Sequence, residues 1–178
     1  MDKSTEWAPS LWLDIFDELV YDDNELDNED QWTLTFNYSQ TDKLTAKERR
    51  DGWKITCQHV NGRFQCSSCS RTWSSARVVV VFRYRLRGGR GTVIMRPFRQ
   101  MCRQCDSDRF NLPGFSDNAV EESLLRLFSK ILKNCYGVEE DSDDNSEKNS
   151  NKYTSKPHEV SLCEACSQGI CKQVEECV

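Results

Sequence analysis

The sequence predicts a small α+β domain in which an antiparallel β-hairpin or sheet packs against helices. Three observations lead to this fold class. Apolar residues alternate from Val78 to Leu86, and a glycine-rich turn and a second apolar stretch follow, which is the pattern of a hairpin. Apolar residues recur at helical spacing near the N terminus and again after Ser116. The length of 178 residues, with 37% hydrophobic and 30% charged side chains, suits one domain with flexible ends.

The first segment, residues 1–30, is acidic and predicts an amphipathic helix. It holds eleven Asp and Glu residues against Lys3 alone. Four apolar residues recur at i, i+3, i+4 and i+7: Trp12, Ile15, Phe16 and Leu19. Such a helix either packs on the core or binds a partner. We therefore treat residues 1–30 as an acidic N-terminal segment and residues 31–178 as the main domain.

The next stretch predicts a strand, a short helix and a second strand. Large apolar residues alternate with polar ones at Trp32, Leu34, Phe36 and Tyr38, which is typical of a half-buried strand. Residues 43–51 are charged and compatible with a helix, and another strand begins near Trp53. Asn61-Gly62 predicts a turn that leads into the first cysteine pair.

The hairpin itself has two different faces, because side chains alternate across a strand. One face carries Val78, Val80, Phe82, Tyr84 and Leu86, and the other carries Val79, Val81, Arg83, Arg85 and Arg87. Gly88-Gly89-Arg90-Gly91 turns the chain back without steric cost. Residues 92–100 form the returning strand, and Pro97 predicts an edge or a bulge there.

A long helix is predicted after Pro113-Gly114. Ser116 or Asp117 is a suitable N-cap, and Gly137 is a suitable stop. The apolar stripe between them consists of Val120, Leu124, Leu127, Phe128, Ile131, Leu132 and Cys135. We expect this stripe to cover the apolar side of the hairpin. Residues 139–155 are acidic and rich in Ser and Asn, so they predict a disordered linker within the main domain.

Three CxxC pairs are the strongest chemical signal of the chain. They are Cys66/Cys69, Cys102/Cys105 and Cys163/Cys166, out of ten cysteines. The acidic start has no basic n-region followed by an apolar stretch, so we expect no signal peptide. In a reducing compartment, paired cysteines are more often metal ligands or redox centres than disulfides. A thioredoxin-like redox role fits less well, because these pairs flank a hairpin and occur three times.

The spacing of the pairs predicts two structural zinc sites. An antiparallel hairpin brings its two ends together, so Cys66, Cys69, Cys102 and Cys105 can share one ion in a zinc-ribbon arrangement. His158, Cys163, Cys166 and Cys171 supply four ligands for a second ion. Cys135 is the replacement for His158, whereas Cys57, Cys177 and His59 are left as incidental.

Catalysis is not expected from these features. Both predicted zinc sites are closed by four protein ligands, which leaves no position for water or substrate. The sequence has no Ser/His/Asp arrangement, phosphate loop or H-x-E deaminase signature. We therefore predict neither enzymatic activity nor a small-molecule substrate.

Residues 63–110 form a cationic block that contrasts with the net charge of -5 for the chain. The block contains eleven Arg and no Lys, against Asp106 and Asp108. Arg is preferred where a planar fork binds phosphate or carboxylate. The candidate partner-binding residues are Arg83, Arg85, Arg87, Arg90, Arg96 and Arg99. They could contact anionic lipid or receptor loops, bind RNA, form a solvated sheet face, or be covered by the acidic N-terminal segment.

The residues around the cysteines resemble those of one known family. The motifs are Phe64-Gln65-Cys66-x2-Cys69 with Thr72-Trp73, the Arg-rich strand, Cys102-Arg103-Gln104-Cys105, Asn134-Cys135-Tyr136-Gly137 and His158-x4-Cys163-Glu164-Ala165-Cys166-x2-Gly169-Ile170-Cys171. Over nearly the whole chain they are similar to the receptor-transporting proteins and their 3CxxC zinc domain.

This resemblance implies a non-enzymatic accessory protein. Members bind odorant and bitter-taste receptors, which are G-protein-coupled, and promote their movement to the cell surface. One branch is interferon-induced and linked to antiviral RNA binding, which is the alternative function. Members commonly end in a transmembrane segment, and no apolar stretch here approaches the roughly 20 residues that one requires. We therefore expect a cytoplasmic protein at the periphery of the endoplasmic reticulum or plasma membrane.

Overall fold

A computed structural model describes residues 5–26, 29–105, 109–138 and Glu164. The helices of the described part are α1 (Pro9–Asp17), which continues into a π-helical turn (Glu18–Asp22), α2 (Ala46–Arg50) and α3 (Asp117–Tyr136). The strands are β1 (Gln31–Phe36), β2 (Lys54–Gln65), β3 (Thr72–Arg87), β4 (Arg90–Pro97), β5 (Gln100–Met101) and β6 (Phe110–Asn111). The predicted α+β class is confirmed.

Four strands form the main sheet in the order β1-β4-β3-β2. β3 pairs antiparallel to both β2 and β4, whereas β1 pairs parallel to β4. The two short strands β5 and β6 form a separate antiparallel pair beside the cysteines. The sheet is therefore mixed, and the predicted hairpin β3-β4 lies at its centre.

The hairpin turn is confirmed and is tighter than the four-residue stretch predicted. Arg87 pairs with Arg90, so only Gly88 and Gly89 lie in the turn. Their φ angles are 59° and 75°, which glycine adopts readily. Two residues with positive φ give a turn whose twist matches that of the flanking strands.

The turn predicted at Asn61-Gly62 is wrong. β2 continues through these residues, with a bulge between Val60 and Gly62. A Cβ on Gly62 would lie 2.9 Å from Val78 Cγ2, and the next residue, Arg63, exchanges backbone hydrogen bonds with Gly114 at 2.9 and 2.7 Å. Gly62 therefore lies at a β-bulge, where the absence of a side chain lets the segment around Gly114 pack closely. It does not reverse the chain.

The edge position expected from Pro97 is also wrong. β4 is a central strand, between β1 and β3. Pro97 is its last residue, two positions beyond Met95, where pairing with β1 stops. Proline is tolerated because the neighbouring strand has already ended.

The predicted N-terminal amphipathic helix and the predicted long helix after Ser116 are both found, and both pack on the core. Phe16 of α1 is fully buried against Phe128 of α3, with ring centroids 5.6 Å apart. The Ser116 hydroxyl accepts a hydrogen bond from the Ala119 amide at 3.2 Å, so Ser116 caps α3. Gly137 ends the helix with φ 66°. The division into residues 1–30 and 31–178 stays a prediction.

The helices cover one face of the sheet, and the other face is partly covered too. The buried side chains between helices and sheet include Trp12, Phe16, Trp32, Phe64, Phe82, Tyr84, Leu124, Leu127 and Ile131. On the opposite face Val79 and Val81 are also buried, although strand alternation placed them with the arginines. Gln40 reaches this face and donates to the Val81 and Ile94 carbonyls at 3.1 and 2.9 Å.

Within the described residues, none of the helices combines the length and apolarity needed to cross a bilayer.

Candidate metal centre

The first CxxC pair lies in a tight loop between β2 and β3. The Cys66 amide donates to the Arg71 carbonyl at 2.8 Å, and the Ser70 amide donates to the Cys66 carbonyl at 3.0 Å. Ser70 adopts φ 61° to close the loop. This geometry directs both sulfurs of the pair toward the same side.

The second CxxC pair follows β5 and faces the first. The β5-β6 pair holds it beside the first loop, where the Ser67 amide donates to the Asn111 side chain at 3.2 Å. The structure therefore brings together the four residues predicted for the first zinc site: Cys66, Cys69, Cys102 and Cys105.

The spacing of the four sulfurs fits a zinc ion. All four Sγ atoms lie within 4.8 Å of one another, with Cys66 to Cys105 at 3.4 Å and Cys69 to Cys102 at 3.7 Å. A tetrahedron with Zn–S bonds of about 2.3 Å has edges of about 3.8 Å. Cys66 and Cys102 are buried, Cys105 is half-buried and Cys69 is exposed. Four thiolates would close the coordination sphere, so this arrangement suits a structural ion.

Backbone amides in the two loops favour the thiolate form that binds metal. Hydrogen bonding from the Cys69 and Ser68 amides lowers the pKa of Cys66, and the Ser68 amide lies 3.4 Å from its sulfur. Burial opposes ionisation of Cys102, but hydrogen bonds from the amides of Gln104 and Cys105 and from the side chains of Cys69 and Arg71 together lower its pKa to about 6. The two buried thiols, Cys66 and Cys102, are therefore the ones disposed to ionise. In Cys69 the Arg71 amide favours ionisation, but burial and hydrogen bonds to the sulfurs of Cys66 and Cys102 outweigh it and raise the pKa.

Two side chains outside the cysteine motifs brace the site. Trp73 stacks on Phe64 with ring centroids 5.2 Å apart and an interplanar angle of 11°. Its Nε1 donates to Gln100 Oε1 at 3.2 Å, and Gln100 Nε2 donates to the Ser75 hydroxyl at 3.0 Å. Since Gln100 begins β5, which leads into the second loop, and Trp73 follows the first loop, these bonds join the two halves. The spacing of the cysteines did not identify Gln100 as a residue that supports the site. The only signal in the sequence was its position close to Cys102.

The second predicted zinc site lies outside the described residues. His158, Cys163, Cys166 and Cys171 all belong to that part of the chain, as do Cys177 and the predicted linker at 139–155. Cys135, the alternative ligand, is half-buried at the end of α3, and burial raises the pKa of its thiol. Glu164, which lies between two of the predicted ligands, is described and is 3% exposed.

The predicted partner-binding arginines have different environments. Arg83 forms an ion pair with Glu48 and donates to the Lys43 carbonyl at 3.0 Å. Arg85 lies over the Trp53 ring at 4.4 Å. Both side chains therefore bind to the segment around α2.

The four remaining arginines divide into a bound pair and an exposed pair. Arg96 is 5% exposed, and Arg96 and Arg99 both form ion pairs with Glu164. Arg87 and Arg90 are exposed beside the glycine turn. The acidic partner of Arg83 thus comes from α2, and that of Arg96 and Arg99 is Glu164.

Comparison with known proteins extends these observations. Residues 59–169 match the family model for a zinc-binding domain of the 3CxxC zinc-ribbon type. The chain is 34% identical to mouse receptor-transporting protein 3 over 164 residues, which is 91% of this chain and 33% of that protein. It is 35% identical to mouse receptor-transporting protein 2 over 144 residues, or 79% of this chain and 62% of the relative.

A third relative is human receptor-transporting protein 4, with 32% identity over 175 residues, covering 91% of this chain and 64% of that protein. The chain thus spans between a third and just under two thirds of the length of these three relatives. None of the solved structures matches it.

Proposed function

Because the chain belongs to the receptor-transporting protein family and contains a 3CxxC zinc-binding domain, we propose that it is a non-enzymatic accessory protein for receptor transport. Its cargo would be G-protein-coupled chemosensory receptors of the odorant or bitter-taste type, which it binds and helps to reach the cell surface. The names of the relatives denote transport rather than catalysis. The observation that carries the proposal is the four-cysteine cluster within the matched family domain.

We propose that Cys66, Cys69, Cys102 and Cys105 hold one zinc ion as a structural element. A bound ion would supply four strong bonds between the β2-β3 loop and the segment after β5, and so fix both ends of the central hairpin. Apparent binding of about 10 to 16 kcal/mol is typical of structural zinc in small peptides. A domain of this size would depend on such a contribution.

His158, Cys163, Cys166 and Cys171 are proposed as the second zinc site. The position of Glu164 supports His158 over Cys135 as a ligand. Glu164 binds Arg96 and Arg99 on the sheet face opposite α3, whereas Cys135 packs near Leu86 at the other end of the hairpin. Leu86 pairs with Gly91, five residues before Arg96, a distance of about 16 Å along the strand. This separation supports His158 rather than Cys135 as the fourth ligand of the proposed site.

The partner surface that we propose is the hairpin tip with Arg87 and Arg90. Arg83, Arg85 and Arg96 bind within the protein, and Arg99 keeps 46% of its side chain exposed while it binds Glu164. The tip cations are therefore the most available of the six for acidic receptor loops or anionic lipid. RNA binding through the strand would have to break several of these internal contacts, so receptor transport remains our proposal.

Receptor transport can be tested by counting receptor at the cell surface. We would express an odorant receptor, a bitter-taste receptor and an unrelated G-protein-coupled receptor with and without the protein. The wild-type protein should raise the amount of odorant and bitter-taste receptor at the cell surface. The charge-reversed variant Arg87→Glu, Arg90→Glu should return that amount toward the level seen without the protein. The matched control Arg49→Glu, Arg50→Glu makes the same charge change on α2 and should keep activity. Equal surface receptor with and without the wild-type protein would refute the proposal.

A further inference from the structure

Glu164 is held on the sheet by both its side chain and its backbone. Its Oε1 accepts from Arg96 Nη2 at 2.7 Å, and its Oε2 accepts from Arg99 Nε at 2.6 Å. Its amide donates to the Arg99 carbonyl at 3.1 Å. The carboxylate is 4% exposed, and each of its oxygens receives a charge-assisted hydrogen bond.

The binding site for this carboxylate is fixed by contacts that do not involve Glu164. Arg96 Nη1 donates to the Gln40 carbonyl at 2.8 Å, and its guanidinium lies 4.2 Å from the centroid of the Phe98 ring. Gln40 and Phe98 are themselves buried, with exposures of 5% and 1%. A buried cation needs a partner of opposite charge, because desolvation disfavours an isolated one. The oriented guanidinium therefore selects a carboxylate at this position.

We propose that Arg96 and Arg99 form an internal carboxylate-binding site whose ligand is Glu164, and that this contact docks the third CxxC motif onto the sheet beside the four-cysteine cluster. Covalent geometry supports the placement, since adjacent Cα atoms are about 3.8 Å apart and Glu164 directly follows Cys163. Cys102 follows Arg99 by three residues, a reach of at most about 11 Å. Docking through Glu164 would bring the third motif, which is distant in sequence, close to the second.

The docking contact has a consequence for the Arg-rich face. An external anion that used Arg96 or Arg99 would have to displace a carboxylate that is already bound and buried. The site formed by Arg96 and Arg99 therefore has a structural role within the chain and is not open to external anions. This inference depends neither on receptor transport nor on metal in the second zinc site.

The test is hydrogen exchange of the full zinc-loaded chain, resolved to peptides that contain residues 163–166. Glu164→Gln keeps the shape of the side chain and removes its charge. Exchange in these peptides should become about tenfold faster or more, because the docked segment opens more often. The matched control is Glu48→Gln, which removes the carboxylate that pairs with Arg83 on the same sheet and should leave these peptides unchanged.

A second variant guards against general unfolding. Arg99→Gln alters a side chain that is 46% exposed, so the sheet should stay intact while one of the two bonds to the carboxylate is lost. Faster exchange confined to residues 163–166 supports docking, and unchanged exchange in both Arg99→Gln and Glu164→Gln overturns it. Zinc is counted in parallel. If the wild-type chain binds one zinc ion and exchange is faster in the variants, the docking proposal is supported and the second zinc site is refuted. If it binds two ions and exchange is unchanged, the second zinc site is supported and the docking proposal is refuted.

Discussion

Gly91→Ala tests how closely β1 packs on β4. A Cβ at this position would lie 2.0 Å from Cδ2 of Trp32 and 2.2 Å from two further ring atoms, whereas carbon atoms in contact are about 3.5 to 4.0 Å apart. Trp32 pairs with Gly91 in the parallel register, and its ring is 1% exposed. Since β4 pairs on both sides, it cannot shift without losing one of its neighbours.

The expected cost follows from what must move. If the ring stays and the strands adjust, overpacking costs about 1 to 3 kcal/mol. If the ring is expelled, the loss approaches that of truncating a buried Trp, about 3 to 5 kcal/mol, and the hydrogen bond from its Nε1 to Tyr136 at 3.0 Å is lost too. The added Cβ would clash with the fused part of the indole ring, which is rigid and cannot bend away. We therefore expect Gly91→Ala to lower the free energy of unfolding by about 3 to 5 kcal/mol.

Urea denaturation followed by tryptophan fluorescence measures this cost, at a fixed zinc concentration because bound metal adds to stability. Gly88→Ala is the control. Its φ is 59° and a Cβ there would meet nothing within 4 Å, so only backbone strain of about 1 to 2 kcal/mol applies. In a Trp32→Leu background the clash is relieved, and Gly91→Ala should then cost at least about 2 kcal/mol less. An equal cost in both backgrounds, or a cost no larger than that of Gly88→Ala, would refute this reasoning.

Three further measurements test other parts of the molecule. Cys102→Ser should lower the bound zinc by one ion, measured by atomic absorption, because it removes one ligand of the four-cysteine cluster. Ser116→Ala should cost about 1 kcal/mol in urea denaturation, because it removes the N-cap of α3. Burial and the hydrogen bond to Asp30 raise the pKa of Tyr136 to about 12, so its protonated form is preferred in the folded state. The contribution of Tyr136 to stability should therefore be constant below pH about 10 and be lost from there toward pH 12, so the decline over that range should be shallower in Tyr136→Phe, measured by urea denaturation at each pH.

Local patterns predicted the elements whose form depends on their own sequence. The stripe of α3 and its end residues Ser116 and Gly137 are set by spacing, capping and backbone freedom, all of which are readable in one segment. The alternation from Val78 to Leu86 similarly predicted β3, although the strand begins earlier, at Thr72. The first cysteine cluster followed because the ends of a hairpin must meet.

Features that depend on distant segments could not be read in the same way. Trp32 indicated a strand, but nothing near it specified a parallel partner in β4. Gly62 had the signature of a turn, and only the approach of Gly114 explains why it lies within β2. Glu164 carried no signal of its own between two cysteines. Its role depends on Arg96 and Arg99, about 65 positions earlier.

The excess of Arg over Lys in residues 63–110 now has a structural reason. Within the described residues, four of these guanidinium groups lie over aromatic rings. The two nearest are Arg85 over Trp53 at 4.4 Å and Arg96 over Phe98 at 4.2 Å, and the others are Arg71 over Trp73 and Arg99 over Phe110. Arg96 also divides its nitrogens between a carboxylate and a backbone carbonyl. An ammonium group is a point charge and cannot provide a flat stacking surface and a fork at the same time. Of the six candidate arginines, Arg83, Arg85, Arg96 and Arg99 therefore make contacts within the protein, and partner recognition should be sought at the exposed hairpin tip.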